Sequence, residues 1–79
     1  SSAAVTLDVA PAGVPLMIDR IPEEDQQLLE YLVAHNIVPG VTVELDEVAP
    51  YRGVLTLQVG DESAVLGLGV ANRIWVVAE

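Results

Sequence analysis

Apolar and polar positions along this 79-residue chain follow two rhythms. Val41, Val43 and Leu45 alternate with Thr42, Glu44 and Asp46, the period-two pattern of a half-buried strand. Val54, Leu55, Leu57 and Val59 mark another strand, Ser63 to Leu68 a mostly buried one, and Ile74 to Val77 a last one. Leu16 and Ile18 open an apolar run that predicts a strand over Val14 to Arg20. Between the first strand and the second, Leu28, Leu29, Leu32 and Val33 recur at i, i+1, i+4 and i+5, while Gln26, Gln27 and Glu30 take the wet side. That is the stripe of an amphipathic helix, expected over Pro22 to His35.

Punctuation supports these elements. Pro22 suits a first helical position, and Glu23, Glu24 and Asp25 would complement the positive end of the helix dipole. Asn36 can take the left-handed conformation that ends a helix. Pro39-Gly40 fits the central places of a type II turn, and Gly60-Asp61 a two-residue hairpin. Ala49 to Gly53 reads as a loop, and Val70-Ala71-Asn72 as one helical turn. Gly67 and Gly69 predict a bulge or a close backbone approach. Residues 1–13, small and carrying Asp8 as their one charge, predict a linker or an extended edge segment, with the folded domain over 14–79. One helix cannot cover both faces of five strands. The expected fold is therefore mainly β: a sheet curled into a small barrel, with the helix closing one end.

Composition narrows the function. Acidic residues outnumber basic ones twelve to three, the three being arginines, for a net charge of −9. A nucleic-acid surface needs a basic footprint, and an anionic membrane repels such a chain. Uncharged stretches such as Ser63 to Asn72 are too short to span a bilayer. There is no cysteine to form a disulfide, a thiolate nucleophile or a zinc ligand. The start lacks both Met and the regions of a signal peptide, and reads as a piece cut from a longer protein.

Candidate chemistry is sparse. Glu23, Glu24 and Asp25 offer hard oxygen donors suited to Mn or Fe(II), and equally the solvated start of a helix. Glu44, Asp46 and Glu47 read as charges that deter pairing at a sheet edge. Asp61-Glu62 at a hairpin tip is solubilising. His35, the one histidine, has no partner adjacent in sequence and suits a helix C-terminus. Trp75, Tyr31 and Tyr51 are too few and too scattered for a polyproline groove, so Trp75 is expected to plug a core or an interface. Gly67-Leu68-Gly69 lacks the lysine of a phosphate loop. With no Cys, no Lys and one His, nucleophile-plus-base pairs are nearly unavailable, and the chain is not expected to be an enzyme.

Several phrases resemble the FeoA-like domain, an SH3-type small barrel. They are Leu7 with Gly13, Ile18-Asp19-Arg20-Ile21, Leu28-Leu29 with Leu32, Ala49-Pro50-Tyr51-Arg52-Gly53 and Ala71 to Val76. The specific one is Asn36-Ile37-Val38-Pro39-Gly40-Val41-Thr42-Val43-Glu44. The resemblance implies a bacterial, cytoplasmic protein in one of two settings. One is the C-terminal domain of a metal-dependent repressor of the diphtheria-toxin-repressor type, responding to iron or manganese. There it would touch other domains of its own chain or its dimer mate, and not DNA. The other is a free-standing accessory of ferrous-iron transport, whose partner would be an iron permease met through Val38, Pro39 and Tyr51. The acidic charge favours the first, since free-standing members tend to be more basic. The domain implies no tightly bound cofactor of its own, only Fe(II) or Mn(II) held through the full parent. Some of these repressors take a glutamate and, three residues on, a glutamine from this domain. Those places fall on Arg20, which has no lone pair to give, and Glu23, which can ligate. Asp19, or a shifted pair of Glu24 and Gln27, would be substitutes. Glu23 and Asp19 are therefore the metal candidates.

Overall fold

Each of the longer strands turns one face toward a common core in the computed structural model, which describes residues 3–79. Ser1 and Ser2, part of the expected linker, lie outside the described residues. The strands are β1 (Val5–Thr6), β2 (Pro15–Arg20), β3 (Thr42–Ala49), β4 (Val54–Val59), β5 (Glu62–Gly67) and β6 (Trp75–Ala78). Helix α1 (Gln26–Ala34) separates β2 from β3, and the single turn α2 (Leu68–Ala71) joins β5 to β6. The antiparallel order is β1-β6-β2-β3-β4-β5. Alternation along the strands is strict where the sequence predicts it: Leu16 and Ile18, Val43 and Leu45, Leu55, Leu57 and Val59, and Val76 are all buried.

The described residues form six strands rather than five. Of the two forms open to the first residues, Val5–Thr6 takes the extended edge and pairs with β6. Leu7 holds it there: its side chain is fully buried and its N–H donates to the Ile74 carbonyl at 2.9 Å. Pro11 to Pro15 stays on the barrel too, as the Gly13 N–H donates to the Leu45 carbonyl.

The sheet curls as expected, yet its ladder does not close. No pairing joins β1 to β5, because β1 has two residues before it tightens into a 3₁₀ turn at Leu7–Val9. That turn packs against α2, which also packs on β4 and β5. Curvature is helped by two irregularities, one between Ile18 and Arg20 and one between Leu45 and Glu47. Each leaves one extra residue on the longer side, Asp19 and Asp46, and such bulges bend a strand and deepen its twist.

Helix α1 starts four residues later than expected. Asp25 is its N-cap, with Oδ1 accepting from the Leu28 N–H at 3.2 Å. An aspartate there satisfies an orphan donor, which Pro22 cannot do. Glu23 and Glu24 thus precede the helix rather than line its first turn. The helix ends as foreseen, at Asn36 with φ +59°. Ile37 N–H donates to Leu32 O and Asn36 N–H to Val33 O, and Ile37 and Leu32 are both fully buried, the Schellman arrangement. The expected apolar stripe is only partly used: Leu32 enters the core, Leu28 packs at its margin, and Val33 is 56% exposed.

The type II turn forms, with Val41 N–H donating to Val38 O and Gly40 at φ +92°. Gly60 and Asp61 make the hairpin between the paired Val59 and Glu62. Gly67 and Gly69 mark neither a bulge nor a close approach. The β4–β5 register runs unbroken to Gly67, and open space surrounds the Cβ position of both glycines. Nor is β3 an edge. It lies between β2 and β4, so Glu44 and Glu47 are exposed on an interior strand and guard no edge. Trp75 does not plug the core. It is half-buried, pairs across the ladder with Arg20, and stays outside the buried cluster.

Candidate functional site

The most densely interacting part of the surface lies where β2 ends, α1 begins and β6 starts. The extra residue Asp19 shifts the register so that Arg20 faces Trp75. The guanidinium carbon sits 4.7 Å from the centre of the indole ring, a cation–π contact. Arg20 Nε also lies 3.5 Å from Asp19 Oδ2. Two residues before Trp75, Arg73 donates to Glu24 Oε1. Glu24 Oε2 in turn accepts from the Glu23 N–H at 3.0 Å. All these groups are at least partly open to solvent, so each ion pair contributes about 0–1 kcal/mol. Among them, the pair of Glu24 with Arg73 links the loop of residues 21–25 to the segment just before β6.

This arrangement decides how each sequence-predicted ligand stands. Asp19 is paired with Arg20, and Glu24 with Arg73. The Glu23 carboxylate has no partner among the described residues and is exposed. Two of the chain's three arginines therefore stand among the candidate ligands. Among the described residues, no group of three or more His, Asp or Glu is placed to hold a metal ion. A self-contained divalent site does not fit this chemistry. Of the two metal candidates, Glu23 is the one whose carboxylate has no partner among the described residues.

Beside this cluster, α1 carries the largest departure from the expected core. Leu29 is half-buried and Val33, one turn on, is mostly exposed, so an apolar stripe faces solvent. Tyr31 is exposed as well, with its ring 4.3 Å from that of His35 and tilted by 44°. His35 is the helix C-cap, as its position suggested. An open cleft of about 560 Å³ separates it from the β4–β5 turn and is lined by Asn36, Thr42, Asp61 and Glu62 among others. Its carboxylates are neighbours on one exposed turn, not a facing pair across a dry pocket such as acid–base work requires. The expected rim of Val38, Pro39 and Tyr51 is not one surface. Val38 and Pro39 precede β3 and Tyr51 follows it, at opposite ends of the longest strand.

The contacts of Arg20 with Trp75 and of Arg73 with Glu24 had no local signal, since their partners lie 55 and 49 positions apart. With the geometry in place, comparison with known proteins is decisive for family. The model of the FeoA domain matches residues 5–78. The chain belongs to the FeoA domain family. Its fold is shared with the solved structure of a manganese-dependent transcriptional repressor (TM-score 0.89, 23% identity), covering 100% of this chain and 44% of that one. It is also similar to an iron uptake regulatory protein, FeoA (TM-score 0.84, 25% identity), covering 98% of this chain and 100% of that one. A third relative is iron(II) transport protein A from Clostridium thermocellum (TM-score 0.82, 30% identity), covering 94% of this chain and 45% of that one. Comparison with curated protein sequences finds no match. This FeoA domain thus spans less than half the length of the repressor it overlays.

Proposed function

We propose that this FeoA domain is the C-terminal regulatory domain of a cytoplasmic, divalent-metal-dependent transcriptional repressor, acting through protein contact and not catalysis. The observation that carries the reading is the α1 stripe of half-buried Leu29 and exposed Val33, on the helix that follows the loop of residues 21–25. A nine-residue helix gains little from presenting apolar side chains to water, and everything from a neighbour that covers them. Charge says what that neighbour is not. With −9 overall and two arginines already held by acids, DNA has no footprint here, and the other domains of the chain or its dimer mate remain. Regulation follows if the stripe is covered in one arrangement of the repressor and not in another, since only that difference moves the equilibrium. Within this reading Glu23 donates at most one carboxylate to a metal site shared with another domain, and Asp19 serves Arg20 instead.

Operator binding by the whole protein, titrated with Mn(II) or Fe(II), tests this. Val33→Glu should leave the fold intact and shift the metal concentration for half-maximal binding by about 5–150-fold. An unchanged midpoint would refute the contact. A second reading is favoured by one fact, that the chain matches a free-standing FeoA protein over that protein's whole length. It would then bind the cytoplasmic part of a ferrous-iron permease. Capture of that part at micromolar concentration would support it, and no capture would remove it.

A further inference from the structure

The two edges of the sheet are unlike. β1 ends one side after two residues, too short to pair with another strand. β5 ends the other with six residues, and its only backbone ladder is the one to β4. Exposed edges are usually blunted by Lys, Pro, a bulge or an inward charge. β5 has none of these. Its inward residues are Ala64 and Leu66, its register with β4 is regular, and its centre is Val65, 57% exposed. Its one charged residue, Glu62, is at its start.

Charge then suggests what completes the edge. Arg52 is exposed and takes part in no ion pair among the described residues, unlike Arg20 and Arg73. Its turn is tied to the far end of β5, because Leu68 N–H donates to the Gly53 carbonyl and Val54 pairs with Gly67. β5 thus has an acid at its start and, beside its far end on the β4 side, a cation in no ion pair among the described residues, an arrangement that is self-complementary when the strand is reversed.

We propose that a second copy of this chain occupies the edge, β5 pairing antiparallel with β5 about a two-fold axis at Val65. In that register Val65 meets its own copy and Ser63 meets Gly67. Glu62 lies across from position 68, where the copy's Arg52 can reach it. The acidic Asp61-Glu62 turns of the two copies stay at opposite ends of the pair, as two molecules of net charge −9 require. The surface is distinct from the α1 stripe, so the inference does not depend on the repressor reading.

Sedimentation equilibrium of the 79-residue chain, with circular dichroism to confirm folding, provides the test. The mass should rise from 8.4 kDa toward twice that value between about 10 µM and 1 mM. Val65→Lys, on an exposed side chain, should weaken association at least about tenfold without unfolding the barrel. Arg52→Glu should weaken it as well, and Arg52→Glu with Glu62→Arg should restore it. A chain that stays at 8.4 kDa up to 1 mM would overturn the proposal. So would a dimer indifferent to Val65→Lys, or a charge reversal that fails to restore binding.

Discussion

Leu7 shows what a single side chain decides here. It is fully buried, whereas Val5 and Val9, which alternate with Thr6 and Asp8 on either side of it, stay exposed, and the alanines and proline that follow cut the alternation short. Leu16, Ile18, Val43, Leu45, Leu55 and Leu57 were legible because each repeats within a strand, whereas Leu7 is a solitary anchor whose partners are distant in sequence. Leu7→Ala should cost about 2–5 kcal/mol in urea unfolding, against nearly nothing for the mostly exposed Val9→Ala. Asn36 was legible from residue type alone, because asparagine tolerates the positive φ that closes a helix. Asn36→Gly should stay within about 0.5 kcal/mol of wild type. Asn36→Val, β-branched at φ +59°, should lose about 1–2 kcal/mol by the same assay.

Among the elements, the strands and turns were readable and their spatial order was not. Val54–Val59 was placed to the residue and the Gly60-Asp61 hairpin follows from its glycine, since both depend on neighbours in sequence. That β3 lies inside the sheet, and that β1 exists, depends on pairings between distant residues such as Thr6 with Trp75. Helix α1 shows the limit in another form. Its sequence has a stripe wide enough for the core, but only Leu32 goes fully inside, so the same pattern that predicts the helix cannot say what it faces. Its start is equally instructive, because Pro22 and Asp25 both fit a helix beginning and hydrogen bonding selects Asp25. Asp25→Ala should therefore cost about 0.5–2 kcal/mol in thermal unfolding, while Glu23→Gln leaves stability within about 0.5 kcal/mol.

At the scale of the whole molecule the charge dominates, and among the described residues no complete metal site is present. With −9 on 79 residues, self-repulsion opposes the folded state, so raising NaCl from about 10 to 200 mM should raise the melting temperature. A fall would mean that the pairs Arg20–Asp19 and Arg73–Glu24 dominate instead. The resemblance pointed to Glu23 and Asp19 as ligands with Arg20 already beside Asp19, but it could not foresee Arg73, which reaches Glu24 only through the fold. Mn(II) added to the chain alone should accordingly show no saturable effect on amide resonances below about 1 mM. Regulation by contact requires α1 to be a face that other domains cover. Its most direct measurement is amide chemical-shift mapping of the labelled chain as the remaining domains of its parent protein are added. Changes should concentrate around Leu29 and Val33 and along residues 19–25, leaving the outer face of β3 and β4 unmoved. Changes confined to β3 and β4, or none at saturating partner, would contradict it.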